Sequence, residues 1–485
     1  MTLRNGRPGR GLLSRGAPDR PALIDASTGA AVSYGDLRAR GRAWSARLGP
    51  ARTLLLLVCR NDLFTTVAYA GAFEGDHAVA LLDSQASGPS TAGVVAAYRP
   101  PWIAGPIGLG EQLADNAVPV ASVEVVEGGE LVRTGYPAEI DLHPDLAVLL
   151  ATSGTTGSRK FVRLSAANVL SNARSIVDYL GLSPDERPIT SLPLHYSFGL
   201  SVLNSHLAAG ATVVVSAASV LEPTFWTTFR EQGCTSLAGV PFTFQMLERI
   251  GFREMDLPSL GTLQQAGGAL DRRLTELYSS HMADRGGRFF VMYGQTEATA
   301  RMAYVPPDRM PEKLGSAGIA IPGGRLRIET TSDDGGHGAG SGEVVYEGPN
   351  VMMGYASERD DLVLGDELNG VLRTGDLGYL DDDGFLFLVG RSKRIAKVFG
   401  LRVNLDELEA VLRRHGPAAV VAGQDSIWGF CEFGTDESVA ALALAVARDS
   451  KIHHGAVRFR RVAAIPTTSS GKVDYRQVER WVSSK

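Results

Sequence analysis

Residues 53–59 read TLLLLVC, an unalternating apolar run of the length of one strand. Helical spacing over 63–73 follows, and then a second short apolar run at 78–82. A strand with no polar face must be covered on both sides, so strand, helix, strand in this order calls for parallel strands with helices packed over them. The order recurs at 146–151, where a Gly/Thr-rich stretch leads to Val169, Leu170, Ala173, Ile176, Val177 and Leu180 at helical spacing. Further strands are predicted at 212–215, 236–240, 262–266 and 289–293. The expectation is an α/β fold, with an open sheet over most of the first 300 residues.

After about residue 310 the texture changes to short alternating segments at 325–330, 342–347 and 384–389, the pattern of antiparallel β structure and of a small barrel. Helical spacing resumes at 406–413 and again near 474–482. The domain boundary is placed near Gly390, giving domains 1–390 and 391–485. A Gly-rich run at 335–342 lies between predicted strands and lacks the GxGxxG spacing, so it is not a dinucleotide fingerprint.

Composition excludes several classes of function. The net charge is −5, from 48 basic and 53 acidic residues with no like-charge block, so neither nucleic acid nor a membrane surface is an expected partner. No apolar run approaches the roughly 18 residues that span a bilayer, and residues 1–20, though Arg-bearing, lack the apolar run of a secretory signal and read as a loose leader. Three widely separated cysteines fit a reducing cytoplasm better than a disulfide framework or a zinc site. Only 7 of the 48 basic residues are lysines, so a lysine inside a Gly/Thr-rich loop is less readily generic surface charge.

Four clusters carry chemistry. Thr152, Ser153, Gly154, Thr155, Thr156, Gly157, Ser158, Arg159 and Lys160 follow a buried strand; the glycines let backbone N–H groups approach an anion, the hydroxyls donate, and Lys160 adds a cation. The spacing is not that of a Walker A loop. Tyr293, Gly294, Gln295, Thr296 and Glu297 close another predicted strand, where open α/β sheets bind ligands, and offer a ring, a hydroxyl and a hard carboxylate. Alone, Glu297 reads as a helix-start carboxylate. Thr374, Gly375 and Asp376 precede Gly390 and Arg391, and Asp376 can accept from a ribose diol, although a TGD turn alone is only a turn. Pro466 to Lys472 is an irregular segment near the C-terminus with one lysine, which alone would be solvated surface.

In this order and at these separations the four clusters resemble the superfamily of adenylate-forming enzymes: acyl-CoA synthetases, peptide-synthetase adenylation domains and luciferases. The resemblance runs from Val32 to Lys472. It implies stacked α/β sheets with a β-barrel-like part in the N-terminal domain, followed by a small mobile α+β C-terminal domain. It also implies an ATP- and Mg²⁺-dependent ligase that joins a carboxylic acid to AMP and releases pyrophosphate. By this resemblance Thr152 to Gly157 and Lys160 hold the phosphates. Gly267, Gly268, Ala269, Tyr293 and Gly294 hold adenine, and Asp376 and Arg391 the ribose. Thr296 and Glu297 serve the α-phosphate and Mg²⁺, and Lys472 bridges carboxylate and α-phosphate. Lys393 matches the hinge, and Lys397 and Gly400 the face used in a second half-reaction. Four of the seven lysines thus fall on motif positions.

The same resemblance puts His195, Tyr196, Phe198, Val240, Gln265, Ala266 and Gly267 around the acyl group. It leaves open whether His195 or Tyr196 faces it. The lining is mostly apolar, favouring an aliphatic, alicyclic or aryl acid over an α-amino acid. The acceptor is open among CoA, a carrier-protein thiol and an amine, with thiols ranked first. The rival reading is a non-catalytic member that holds nucleotide without turnover.

Overall fold

The strand Leu54–Cys59 is buried along its whole length, as its unalternating sequence requires. Leu55 and Leu57 face one apolar cluster while Leu54, Leu56 and Val58 face another on the opposite side of the sheet. Each such leucine contributes about 2 kcal/mol relative to exposure. The computed structural model describes residues 2–3, 7–8, 11–86, 88–151, 160–330, 340–391, 394–398, 401–423, 426–449, 453–468 and 471–483. Contacts group the chain into two units: 1–314, 320–325 and 347–372 in the first, and 315–319, 326–346 and 373–485 in the second. The expected division at 390/391 assigns residues 315–319, 326–346 and 373–390 differently.

In the first unit, Leu54–Cys59 lies at the centre of an eight-stranded sheet. It is parallel to Ala78–Asp83 and Trp102–Gly105, and Leu146–Ala151 is parallel to Ala78–Asp83 in turn. Antiparallel strands complete both sides: Gly129–Thr134 and Val120–Val126 on one, Phe161–Ser165 and Gly354–Ala356 on the other. A second sheet aligns Ser236–Gly239, Thr262–Gln265 and Arg288–Tyr293 in parallel, with Ala303–Val305 antiparallel to the last. A third joins Val213–Val215, Pro21–Asp25 and Ala31–Ser33. The single open sheet expected from the apolar runs is therefore several sheets, because runs separated by long helices show no mark of which sheet they join.

One local expectation is corrected. The Gly/Thr-rich loop does not pass from strand to helix. It joins two antiparallel strands, with Ala151 opposite Phe161 and Leu150 opposite Val162. The helix Ala166–Leu180 begins after Phe161–Ser165, and Ser165 and Asn168 cap it reciprocally.

In the second unit, a four-stranded sheet runs in the order Arg325–Glu329, Gly342–Glu347, Val371–Leu380, Leu386–Arg391. The C-terminal part pairs Ser426–Cys431 antiparallel with Ala418–Gly423 on one side and parallel with Val457–Arg461 on the other, and carries the helices Leu405–Arg413, Asp436–Asp449 and Tyr475–Ser483. Leu408, Leu412, Val420, Ile427 and Val446 form its core. Among the described residues no helix is long and apolar enough to cross a membrane.

Candidate functional site

The parallel register of the second sheet sets Gly239, Gln265 and Val291 side by side, so the segments that follow these strands leave from one edge. Val240, Ala266 to Ala269 and Tyr293 to Glu297 lie there, where parallel sheets place their ligands. Gln265 donates from Nε2 to the Gly268 carbonyl at 2.8 Å, fixing the turn that carries Gly267, itself at φ +85°.

The segment after Tyr293 folds back tightly. Ala298 and Ala300 N–H groups both donate to the Gln295 carbonyl, and Met302 N–H donates to the Tyr293 carbonyl. A Cβ at Gly294 would stand 1.7 Å from the Ala300 carbonyl oxygen, so only glycine fits. Thr299 and Ala300 sit at φ +57° and +103°, conformations unfavourable for L side chains and sustained only where surrounding bonds over-determine them.

Those bonds come from residues 350–355. Asn350 Nδ2 donates to the Ala298 carbonyl at 2.8 Å and the Arg301 carbonyl at 3.1 Å, while Thr299 Oγ1 donates to the Asn350 carbonyl at 2.6 Å. Met352 N–H donates to the Glu297 carbonyl at 2.9 Å, and the Tyr355 hydroxyl donates to Glu297 Oε1 at 2.8 Å. The half-buried carboxylate is thus held from backbone and side chain. On the other side, the hydroxyls of Ser197 and Thr296 are 3.2 Å apart, tying the start of the helix Ser197–Ala209 to the loop.

Beneath the loop lies Arg301, fully buried, with neutral partners: Ser201 Oγ at 3.2 Å, Tyr179 hydroxyl at 3.0 Å and Gln264 Oε1 at 3.2 Å. Its guanidinium lies 4.8 Å over the Phe198 ring. Phe198, Val240 and Ala266 belong to one buried apolar cluster, with Tyr196 packed against it. Burial pushes the Tyr196 phenol up to about 12, so it stays protonated. His195 instead places Nε2 3.6 Å from the Asp83 carboxylate. Tyr196 thus packs with Phe198, Val240 and Ala266, and His195 lies beside Asp83.

Residues 152–159 of the expected phosphate loop lie outside the described residues, and Lys160 is half-buried at the start of the outgoing strand. That strand carries Arg163, whose side chain is fully buried and pairs with Glu367 at 2.6 Å, while Nε donates to the Tyr355 carbonyl at 3.0 Å. Gly354 lies against this pair at φ +137°: a Cβ there would meet Glu367 Oε2 at 2.0 Å. Arg163, Asn350, Arg301 and Tyr355 were missed in the sequence. The one available signal was a lone charge inside the apolar strand Phe161–Ser165.

In the second unit, Asp376 and Arg391 are opposite one another across antiparallel strands. Asp376 is buried, and its N–H donates to Thr374 Oγ1 at 3.1 Å. Lys397 is on the strand Ile395–Val398, opposite Arg402, whereas Lys393 and Gly400 lie outside the described residues. Lys472 is exposed on a turn closed by backbone bonds, Thr468 N–H to the Lys472 carbonyl and Asp474 N–H to the Pro466 carbonyl.

Among the described residues, no three His, Cys, Asp or Glu cluster as a metal cage. A single oriented carboxylate is nonetheless what Mg²⁺ uses when phosphate oxygens supply its other ligands, so Glu297 fits that role.

Comparisons with known proteins agree with this layout. Curated relatives include luciferin 4-monooxygenase of Nipponoluciola cruciata, 29% identical over 70% of this chain and 64% of the relative. Indoleacetate–CoA ligase of Aromatoleum aromaticum is 34% identical over 62% of this chain and 59% of the relative. 2-Succinylbenzoate–CoA ligase of Bacillus cytotoxicus is 32% identical over 64% of each. The chain thus spans about three fifths of the length of these curated relatives. Among solved structures, O-succinylbenzoate coenzyme A synthetase from Bacillus subtilis with AMP superposes at TM-score 0.79, with 23% identity over 98% of both chains. ATP-bound MatB from Rhodopseudomonas palustris superposes at 0.75, with 20% identity over 98% of this chain and 99% of its own. At such identities the structural likeness is one of fold. The family described as AMP-binding enzyme matches residues 14–356, and the chain belongs to it.

Proposed function

We propose that this protein activates a carboxylic acid with ATP, forming an acyl-adenylate and releasing pyrophosphate, and then transfers the acyl group to CoA. The observation that carries this reading is the loop 293–301, whose Thr296 hydroxyl and Glu297 carboxylate are held in place by helix Ser197–Ala209 and by residues 350–355. Adenine packs against Gly267, Gly268, Ala269, Tyr293 and Gly294; Asp376 and Arg391 bind the ribose. Residues 152–157 and Lys160 bind the phosphates, and Thr296 donates to the α-phosphate. Glu297 is the Mg²⁺ ligand, and Mg²⁺ bound there neutralises phosphate charge. Lys472 places a cation between two anions, the acid and the α-phosphate, removing their repulsion as carboxylate oxygen attacks phosphorus.

The acyl group contacts Tyr196, Phe198, Val240, Gln265 and Ala266. This mostly apolar lining favours an acid with an apolar body, and the names of the indoleacetate and 2-succinylbenzoate ligases support an aryl acid with CoA as acceptor. We place the moving joint at Lys393, dividing 1–390 from 391–485, with Lys397 and Gly400 serving the second half-reaction. Support comes from Arg394, which is fixed by Glu409 at 2.8 Å and lies 4.0 Å over the Tyr475 ring, so the chain beyond the joint is anchored in the C-terminal core. The free, buried cysteines Cys59, Cys234 and Cys431 support a reducing compartment, the cytoplasm.

The test is ATP–pyrophosphate exchange across aliphatic, alicyclic, aryl and amino acids without acceptor, followed by product analysis with CoA, a carrier-protein thiol or an amine. Exchange driven by an apolar acid and a thioester with CoA are expected. Bound ATP with no exchange for any acid would favour a non-catalytic nucleotide-binding member.

A further inference from the structure

The Tyr355 hydroxyl donates to one oxygen of Glu297, Oε1, at 2.8 Å, so this contact constrains the rotation of that carboxylate. Tyr355 is in turn held. Its strand, Gly354–Ala356, forms the edge of the large sheet with Tyr355 opposite Val162, and its carbonyl accepts from the buried Arg163 at 3.0 Å. Two residues earlier, Met353 N–H donates to the Arg163 carbonyl at 2.8 Å, and Met352 N–H bonds the Glu297 carbonyl at 2.9 Å. Residues 350–355 therefore bond at one end to the strained loop 296–301 and at the other to Phe161–Ser165, the outgoing limb of the hairpin that carries residues 152–159.

We infer that Tyr355 is a positioning residue for the metal-binding carboxylate: its hydroxyl fixes which Glu297 oxygen faces the nucleotide and keeps the carboxylate from turning towards solvent. The inference rests on Glu297 being the Mg²⁺ ligand, as proposed above. A hydrogen bond from a second residue typically pre-orients a ligating carboxylate and is worth roughly tenfold or more in metal affinity. Because Arg163 fixes the Tyr355 backbone, the carboxylate's geometry is referred to the same strand that leads out of the phosphate loop. Tyr355→Phe removes the donor and keeps the ring, so the strand pairing and the Arg163 bond survive.

The measurement is binding of Mn²⁺, followed by electron paramagnetic resonance of the free ion, to the full chain saturated with α,β-methylene-ATP. Wild type, Tyr355→Phe, Glu297→Gln and the double variant are compared. The expected result is about tenfold weaker Mn²⁺ binding for Tyr355→Phe, unchanged metal-free nucleotide binding, and no further loss when Tyr355→Phe is added to Glu297→Gln. Wild-type metal affinity in Tyr355→Phe, with Glu297→Gln weakened, would overturn the positioning role alone. A full additional loss in the double variant would also overturn it, since Tyr355 would then act on something other than Glu297. Wild-type affinity in Glu297→Gln would overturn the metal reading of Glu297 and the positioning role with it.

Discussion

The loop 293–301 and the turn 466–474 each carry a charge assigned to the same nucleotide, yet they are built in opposite ways. The first is knitted to its surroundings by Asn350, Met352, Tyr355 and Ser197, and tolerates positive φ at Thr299 and Ala300 because those bonds over-determine it. In the second, backbone bonds join Thr468 to Lys472 and Asp474 to Pro466, and the Lys472 side chain is exposed. A loop that binds a ligand in fixed geometry gains from pre-organisation. Under the proposed function Lys472 has to engage and leave, which an exposed position favours. Substitutions should accordingly cost folding stability in the first region and only chemistry in the second.

The largest stability loss is expected for Gly294→Ala. Its methyl group would overlap the Ala300 carbonyl, and backbone must move, which should cost about 4 kcal/mol in denaturant unfolding. A loss below about 1 kcal/mol would mean that the loop is pliable and the contrast false.

Next comes acid. His206, buried on the helix that supports the loop, has its imidazole pushed down to about 4, chiefly by burial. The unfolded chain, with an ordinary histidine near 6.5, binds that proton first, so the contribution is complete above pH 6.5 and is lost as pH falls towards 4. Its full size is roughly 3 kcal/mol. Denaturant midpoints measured between pH 7 and 4 should show it, and His206→Gln should flatten that part of the profile. An identical profile in the variant would remove His206 as the cause.

Asn350→Ala deprives two buried carbonyls, those of Ala298 and Arg301, of one donor. Arg301 keeps Asn172 Nδ2 at 3.0 Å, so the expected loss is smaller, about 2 kcal/mol by the same unfolding measurement. Thermal melting of Lys472→Ala should be indistinguishable from wild type, and a clear drop would show that the turn is more deeply built in than its exposure suggests.

The contrast also explains what was legible in the sequence. The parallel strands were legible because Leu54–Cys59 and Leu146–Ala151 are apolar on both faces, and a buried strand has no other way to look. The Thr296–Glu297 and Lys472 segments were legible as short local motifs. Phe161–Ser165 was not, because Arg163 interrupts its apolar run and is satisfied by partners such as Tyr355, 192 residues away, and Glu367. Asn350 and Tyr355 bond loop residues 49 to 58 positions away, and Arg301 is held by neutral groups from three separate elements. Short motifs are read locally; what holds them is set by long-range pairing, which has no periodicity to read.

The most direct test compares wild type and Lys472→Ala in acid-dependent ATP–pyrophosphate exchange, alongside equilibrium binding of ATP. The expected result is an exchange rate lower by about 10²-fold or more with ATP affinity and melting temperature unchanged. Near-normal exchange by Lys472→Ala would contradict the assignment of the bridging charge to that turn, and with it the division of work between the two regions.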